Sequence, residues 1–183
     1  MTTPPMLDET ILGKFGPYTL VTAILLIILG TVAIFLPGVA SLGTAIFAAW
    51  LLLAGGVFWA IHTFRYDAKS IMNWIKPILL VGVGLLMLVY PMSGVAAVAM
   101  LLAIYLFLDA LGSFALARAI HPVKGWGWMA FNGAISFLLA TLFLIGWPAT
   151  SMWLVGLYVG ISLLFDGWAL LAISWSLRKG AKM

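Results

Sequence analysis

The chain has 183 residues, nine Lys or Arg against five Asp or Glu, a hydrophobic share of 65% and a charged share of only 8%. Soluble domains carry roughly 25% charged and about 45–50% apolar residues, so a soluble fold and a disordered chain are both excluded. With no cysteine there is no disulfide scaffold, thiolate metal site or cysteine nucleophile. The basic residues are thinly spread, unlike the clustered charge of a nucleic-acid surface. The composition is that of an integral membrane protein.

The first fourteen residues carry Asp8 and Glu9 and no basic run, which argues against a cleaved signal peptide; the first span is expected to stay in the protein. Residues 15–64 then contain no Asp, Glu, Lys or Arg. A spanning helix needs about 20 residues, so this stretch holds two. Pro37-Gly38 divides it, because proline ends one helix and suits the first turn of the next. The predicted spans are 17–36 and 39–64. Pro91 separates spans at about 73–90 and 93–118, and Pro148 separates 127–147 from 150–176. The segments are apolar throughout and do not alternate, which argues against a β-barrel.

The charges orient these six helices. Lys14 precedes the first span; Arg65, Lys69 and Lys76 flank the second and third; Arg118 and Lys124 flank the fourth and fifth; Arg178, Lys179 and Lys182 follow the sixth. All nine basic residues fall on one side and the three proline turns carry none. The positive-inside rule then predicts cytoplasmic tails at 1–14 and 178–183. Trp74, Trp126, Trp128 and Trp175 mark the inner interface, and Trp147 and Trp153 the outer one.

The prolines are 54 and 57 residues apart, which suggests an internal repeat. Three hairpins result, at about 15–65, 72–119 and 126–178, within one transmembrane domain over 1–183. Aligned on proline, Gly30, Gly84 and Thr141 stand seven residues before it. Ala45, Ala99 and Gly156 stand eight after; Ala49, Ala103 and Gly160 twelve after; Gly56, Ala110 and Gly167 nineteen after. Those three offsets fall within about 40° on a helix, so each even-numbered helix carries one stripe of small residues. Such stripes let transmembrane backbones approach closely. The fold class expected is all-α, with six spans in three tandem hairpins, the even-numbered helices packing closely about a pseudo-threefold axis. Two spans per repeat give parallel repeats, not the inverted ones of many secondary transporters.

Two carboxyl groups lie within the spans. Asp109 and Asp166 both stand eighteen residues after their proline, where the first repeat has Gly55. A charged carboxylate near mid-bilayer costs about 2.5–3.5 kcal/mol on insertion scales, so it marks either a proton path or a hydrogen bond between helices. Tyr105, Ser113, Asn132, Ser136, Thr141, Tyr158 and Ser162 are the polar residues available to join them. His62 and His121 lie near the inner helix ends, either as pH-responsive groups or as interfacial polar residues. Two histidines without an acidic cluster do not make a metal site. No Walker A run, G-x-S-x-G or H-E-x-x-H occurs. No enzymatic activity and no cofactor are expected.

Three hairpins with "ILGTVAIFLPGVAS" (28–41), "GVGLLMLVYPMSG" (82–94) and "FLLATLFLIGWPATS" (137–151), short charged loops and a terminal "SLRKGAKM" resemble the HdeD-type acid-resistance membrane proteins over essentially the whole chain. The resemblance implies a six-span protein of the bacterial inner membrane, connected with acid stress, for which no reaction or catalytic motif carries over. Two functions are therefore expected to compete. One is non-enzymatic stress protection by membrane stabilisation, partner binding or pH response; the other is a small proton or solute channel or transporter using Asp109 and Asp166. The expected partners are membrane lipids, with a homo-oligomer left open, no nucleic acid and no identifiable protein partner.

Overall fold

The computed structural model describes the backbone of residues 9–66 and 70–180, and the side chains of 18–66 and 70–176. Six helices follow in order: α1 (Glu9–Phe35), α2 (Pro37–Tyr66), α3 (Ile71–Val89), α4 (Pro91–Ile120), α5 (Trp126–Leu144) and α6 (Ser151–Gly180). All six are long and apolar enough to cross a membrane. The helices overrun several expected boundaries. Residues 9–14, expected as tail, belong to α1, whose apolar span starts at Tyr18, and α6 continues to Gly180. Hydropathy marks where a helix meets lipid, whereas backbone hydrogen bonding continues beyond it. The rest of the expected tails, 1–8 and 181–183, together with Lys69, lies outside the described residues.

Two proline turns are built alike. Leu36 N–H donates to Val32 O (2.8 Å) while its carbonyl accepts from Ala40 N–H (3.1 Å); Tyr90 does the same with Leu86 (2.8 Å) and Gly94 (3.1 Å). One residue thus closes one helix and opens the next. Pro37 and Pro91 occupy the first position of the new helix, where an N–H has no intrahelical acceptor. The third turn departs from the expected pattern. Pro148 does not open α6 but sits inside a six-residue turn, 145–150. Gly146 takes φ +81° there, and a Cβ on it would come within 2.9 Å of the Thr150 methyl. This position therefore requires glycine on two grounds.

By Cα proximity the chain divides into two compact units, residues 1–40 with 156–183, and residues 41–155. In the first unit α1 lies against α6. A Cβ on Gly30 would fall 2.8 Å from Gly160 O and 2.7 Å from Leu164 N, and one on Gly167 would fall 2.9 Å from Ile27 N. The two backbones are in contact, which only glycine permits. In the second unit α2 meets α3 at the same register: Gly84 faces Ala49 O (3.0 Å) and Leu53, and Gly56 faces Val81 N (3.0 Å). There α4 meets α5 where Gly133 lies against Ala110 O (3.2 Å) and Phe114. The small residues of each even-numbered helix therefore pack on the odd-numbered helix of the next hairpin, with α6 on α1. The even-numbered helices α2 and α6 also meet near their starts, where Gly156 abuts the Pro37 carbonyl and Ser41 Oγ donates to Met152 O.

The repeat register also shifts within the third hairpin. The buried positions of α1 are Ala23, Gly30 and Ala33, and those of α3 are Pro77, Gly84 and Met87, at the same distances from their prolines. In α5 they are Gly133, Ala140 and Phe143, each one residue further from Pro148, with Ser136 buried between. Ala140, not Thr141, is thus the counterpart of Gly30 and Gly84. The longer third turn accounts for the extra residue. Thr141 is half-buried and its hydroxyl donates to Phe137 O one turn back (2.8 Å).

Glycines off these contacts have room. A Cβ at Gly43, Gly82 or Gly112 would meet nothing within 4 Å. Glycine inside a helix is less favourable than alanine by about 1 kcal/mol, so Gly→Ala at these three positions should leave the thermal unfolding midpoint unchanged or raise it. A marked drop at all three would mean that the packing faces are assigned wrongly.

Candidate functional site: an intramembrane polar cluster and two aromatic rims

The stripe positions come first, since they set the spacing of everything else. Ala45, Ala49, Ala99, Ala103 and Ala110 are at most 1% exposed, and Gly56, Gly156, Gly160 and Gly167 are buried. A further position belongs with them that sequence reasoning did not include. Thr63, Ala117 and Ser174, twenty-six residues after their prolines, are buried as well. The stripe thus runs on toward the C-terminal ends of these helices, seven residues beyond the last expected position.

Asp109 sits beside this stripe on α4, half-buried and turned toward α5. Ser136 Oγ donates to its Oδ2 at 2.6 Å. Asn132 Nδ2 lies 3.4 Å from the same oxygen and donates to Ser113 Oγ at 3.0 Å. Ser136 and Asn132 are four residues apart, on one face of α5, as Asp109 and Ser113 are on α4. Three of the expected polar residues, Ser113, Asn132 and Ser136, therefore join Asp109 in one interhelical cluster. Tyr105 and Ser162 are exposed, and Tyr158 is half-buried, each outside this cluster.

Asp166 does not repeat this arrangement. It occupies the same position after proline on α6, yet it is exposed and makes no side-chain hydrogen bond among the described residues. The contacts of Gly30 and Gly167 give the reason. With the one-residue shift of α5 taken into account, the α1 counterparts of Ser136 and Asn132 are Leu26 and Thr22. Leu26 has no donor, and the Thr22 hydroxyl is directed to its own helix, onto Tyr18 O (2.9 Å). The two carboxyl groups, expected as a pair, differ in what they touch.

The histidines lie near the C-terminal ends of α2 and α4, in aromatic surroundings. His62 is edge-on to Trp59 (centroids 5.4 Å apart) and tilted against Tyr66 (4.7 Å). The Lys76 ammonium stands over the Trp59 ring, 3.5 Å from its centroid, a cation–π contact that ties α3 to α2. Thr63 Oγ1 donates to Asn73 O at 3.3 Å nearby. His121 closes α4 and is edge-on to Trp126 at 4.8 Å. At the other end, Trp147 Nε1 donates to Ala96 O (2.9 Å), which fixes the third turn onto α4.

A family model described as a short repeat of unknown function, DUF308, matches residues 21–78 and again 75–145. The two copies together span more than half of the chain. The first covers α1 from residue 21, α2 and the start of α3; the second runs from residue 75 in α3 through α4 to the end of α5. No curated protein and no solved structure gives a match.

Proposed function

The chain belongs to the DUF308 family of short repeats of unknown function, and from that premise we propose that it is a non-enzymatic stress-protection protein of the bacterial inner membrane, of the HdeD acid-resistance type. The observation that carries this reading is how its helices are joined. At the glycine stripes, α6 and α1, and α2 and α3, meet through glycine, alanine and aliphatic side chains against backbone, and the polar contacts between α2 and α3, Lys76 over Trp59 and Thr63 to Asn73, involve no carboxyl group. Of the two carboxyl groups with described side chains, only Asp109 joins helices by a hydrogen bond. Acid acts on proteins mainly by protonating carboxylates that are paired in the native state. A bundle held by close backbone packing contains little for acid to remove, as suits a protein that must work in an acidified cell.

The positive-inside rule supports a cytoplasmic side for both termini and for the loops with Arg65, Lys76, Arg118 and Lys124. The second reading, a proton or solute path, is favoured by Asp166, an exposed carboxyl in the middle of a span.

The test is acid survival of a deletion strain complemented with wild type, Asp109→Asn or Asp166→Asn, with membrane levels checked by immunoblot. Stress protection without transport predicts that all three protect, and that vesicles containing the protein carry no proton flux above protein-free vesicles. Loss of protection by an equally abundant Asp166→Asn would favour the path. Failure of wild type to protect would remove the acid-stress role.

A further inference from the structure

The loop joining α4 to α5 is cationic and has no acidic neighbour in sequence: no Asp or Glu occurs between 110 and 165. Arg118, His121 and Lys124 fall within seven residues, followed at once by Trp126 and Trp128. Gly125 has φ +109°, which a side chain would strain, and turns the loop back into α5. Trp126 divides two open pockets. The first, of about 560 Å³, has Arg118 and His121 at its rim and Phe114, Ala117 and Ala130 along its wall. The second, of about 540 Å³, has Lys124 beside Trp126, Trp128 and Phe131.

We propose that this loop binds the phosphate headgroup of an anionic phospholipid, with Arg118 in the first pocket and Lys124 in the second supplying the positive charge that attracts it. A guanidinium takes phosphate oxygens through two parallel N–H donors, and the lysine adds a compact second charge. The walls decide between a lipid and a soluble anion. Phe114, Ala130 and Phe131 lie on the membrane helices α4 and α5, below the cations. Free phosphate would leave them bare, whereas acyl chains descending from a bound headgroup lie along them. Basic pockets between spans on one face of a membrane suit such headgroups. The end of α2 and the start of α3 form a smaller pocket of about 310 Å³ with His62, Trp59 and Lys76 but no arginine. There the lysine is already engaged with the indole, so the α4–α5 loop is the stronger site. The proposal does not depend on the acid-stress reading.

The full chain is purified in detergent and mixed with equal amounts of dioleoylphosphatidylglycerol and dioleoylphosphatidylcholine, and retained lipid is counted by native mass spectrometry. Phosphatidylglycerol should be retained at least fivefold over phosphatidylcholine. Arg118→Gln/Lys124→Gln should bring that ratio close to one while leaving helicity by circular dichroism unchanged. Arg65→Gln/Lys179→Gln, which removes the same charge elsewhere, should keep most of the excess. Inorganic phosphate at millimolar concentration should not displace the lipid. Equal retention of the two lipids, an unchanged ratio in Arg118→Gln/Lys124→Gln, or an equal loss in both double variants would overturn the site. Full displacement by inorganic phosphate would make it a soluble-anion site and overturn the lipid assignment.

Discussion

Gly156→Ala lowers the thermal unfolding midpoint of the detergent-solubilised protein by several degrees, and by more than alanine at any uncrowded glycine. The added methyl would coincide with the carbonyl of Pro37. That obstacle is backbone, at the first position of α2, and the residue before it is hydrogen-bonded into both α1 and α2. The methyl cannot be accommodated by a side-chain rotation, so α6 must move away from the turn. Overpacking a close contact costs about 1–3 kcal/mol, and an obstacle of rigid backbone places this change at the upper end. Gly43→Ala is the matched control, since the same methyl there meets nothing within 4 Å. Equal midpoints for the two variants would show that α6 does not approach Pro37.

The second large effect separates the two intramembrane carboxyl groups by sign. Asp109→Leu removes the acceptor for Ser136 Oγ and leaves Asn132 with Ser113 alone. Interhelical hydrogen bonds in membranes are worth about 0.6–2 kcal/mol, and losing a partner of two donors falls toward the upper figure. Asp109→Asn retains an acceptor oxygen and should cost less than half as much. Asp166→Leu removes a carboxyl that has no side-chain partner among the described residues. Inserting a charged carboxylate costs about 2.5–3.5 kcal/mol, so this replacement should leave stability unchanged or raise it. Unfolding of the three variants in lipid bicelles would measure the differences. Equal losses for Asp109→Leu and Asp166→Leu would contradict the separate environments described for them.

The reasons for these contrasts were legible to different depths. Six spans follow from composition and from Pro37, Pro91 and Pro148, because the bilayer fixes helix length and each proline marks a break between apolar runs, although only Pro37 and Pro91 open the next helix. The stripe at Ala45, Ala49 and Gly56 and its repeats was equally visible, since small residues at constant offsets are rare by chance. What the stripe packs against was not. A small residue shows that another backbone comes close, not which one, and the partner proved to be the odd-numbered helix of the following hairpin. The one-residue shift of α5 was hidden too. Thr141 matches Gly30 in a proline-anchored alignment, but the six-residue third turn brings Ala140 to that place. The same shift decides the fate of the carboxyl groups. Asp109 and Asp166 are identical in sequence position, and only the opposing residues, Ser136 and Asn132 on α5 against Leu26 and Thr22 on α1, tell them apart. Thr63, Ala117 and Ser174 could have been found by extending the small-residue search one further step of seven.

The central claim is that each even-numbered helix packs through its small residues on the next hairpin's first helix, and that α6 does so on α1. The most direct test is disulfide cross-linking in this cysteine-free chain. Ile27 faces Gly167 and Leu164 faces Gly30, which puts residues 27 and 164 at one level of the α1–α6 contact. Ser136 and Asp109 provide the reference pair on α5 and α4. Oxidation in native membranes should link Ile27→Cys/Leu164→Cys within one chain as readily as Ser136→Cys/Asp109→Cys, while Val21→Cys/Leu157→Cys, at different levels of the same two helices, stays unlinked. A linked reference pair with no link between 27 and 164 would contradict the account, since α6 would then pack elsewhere.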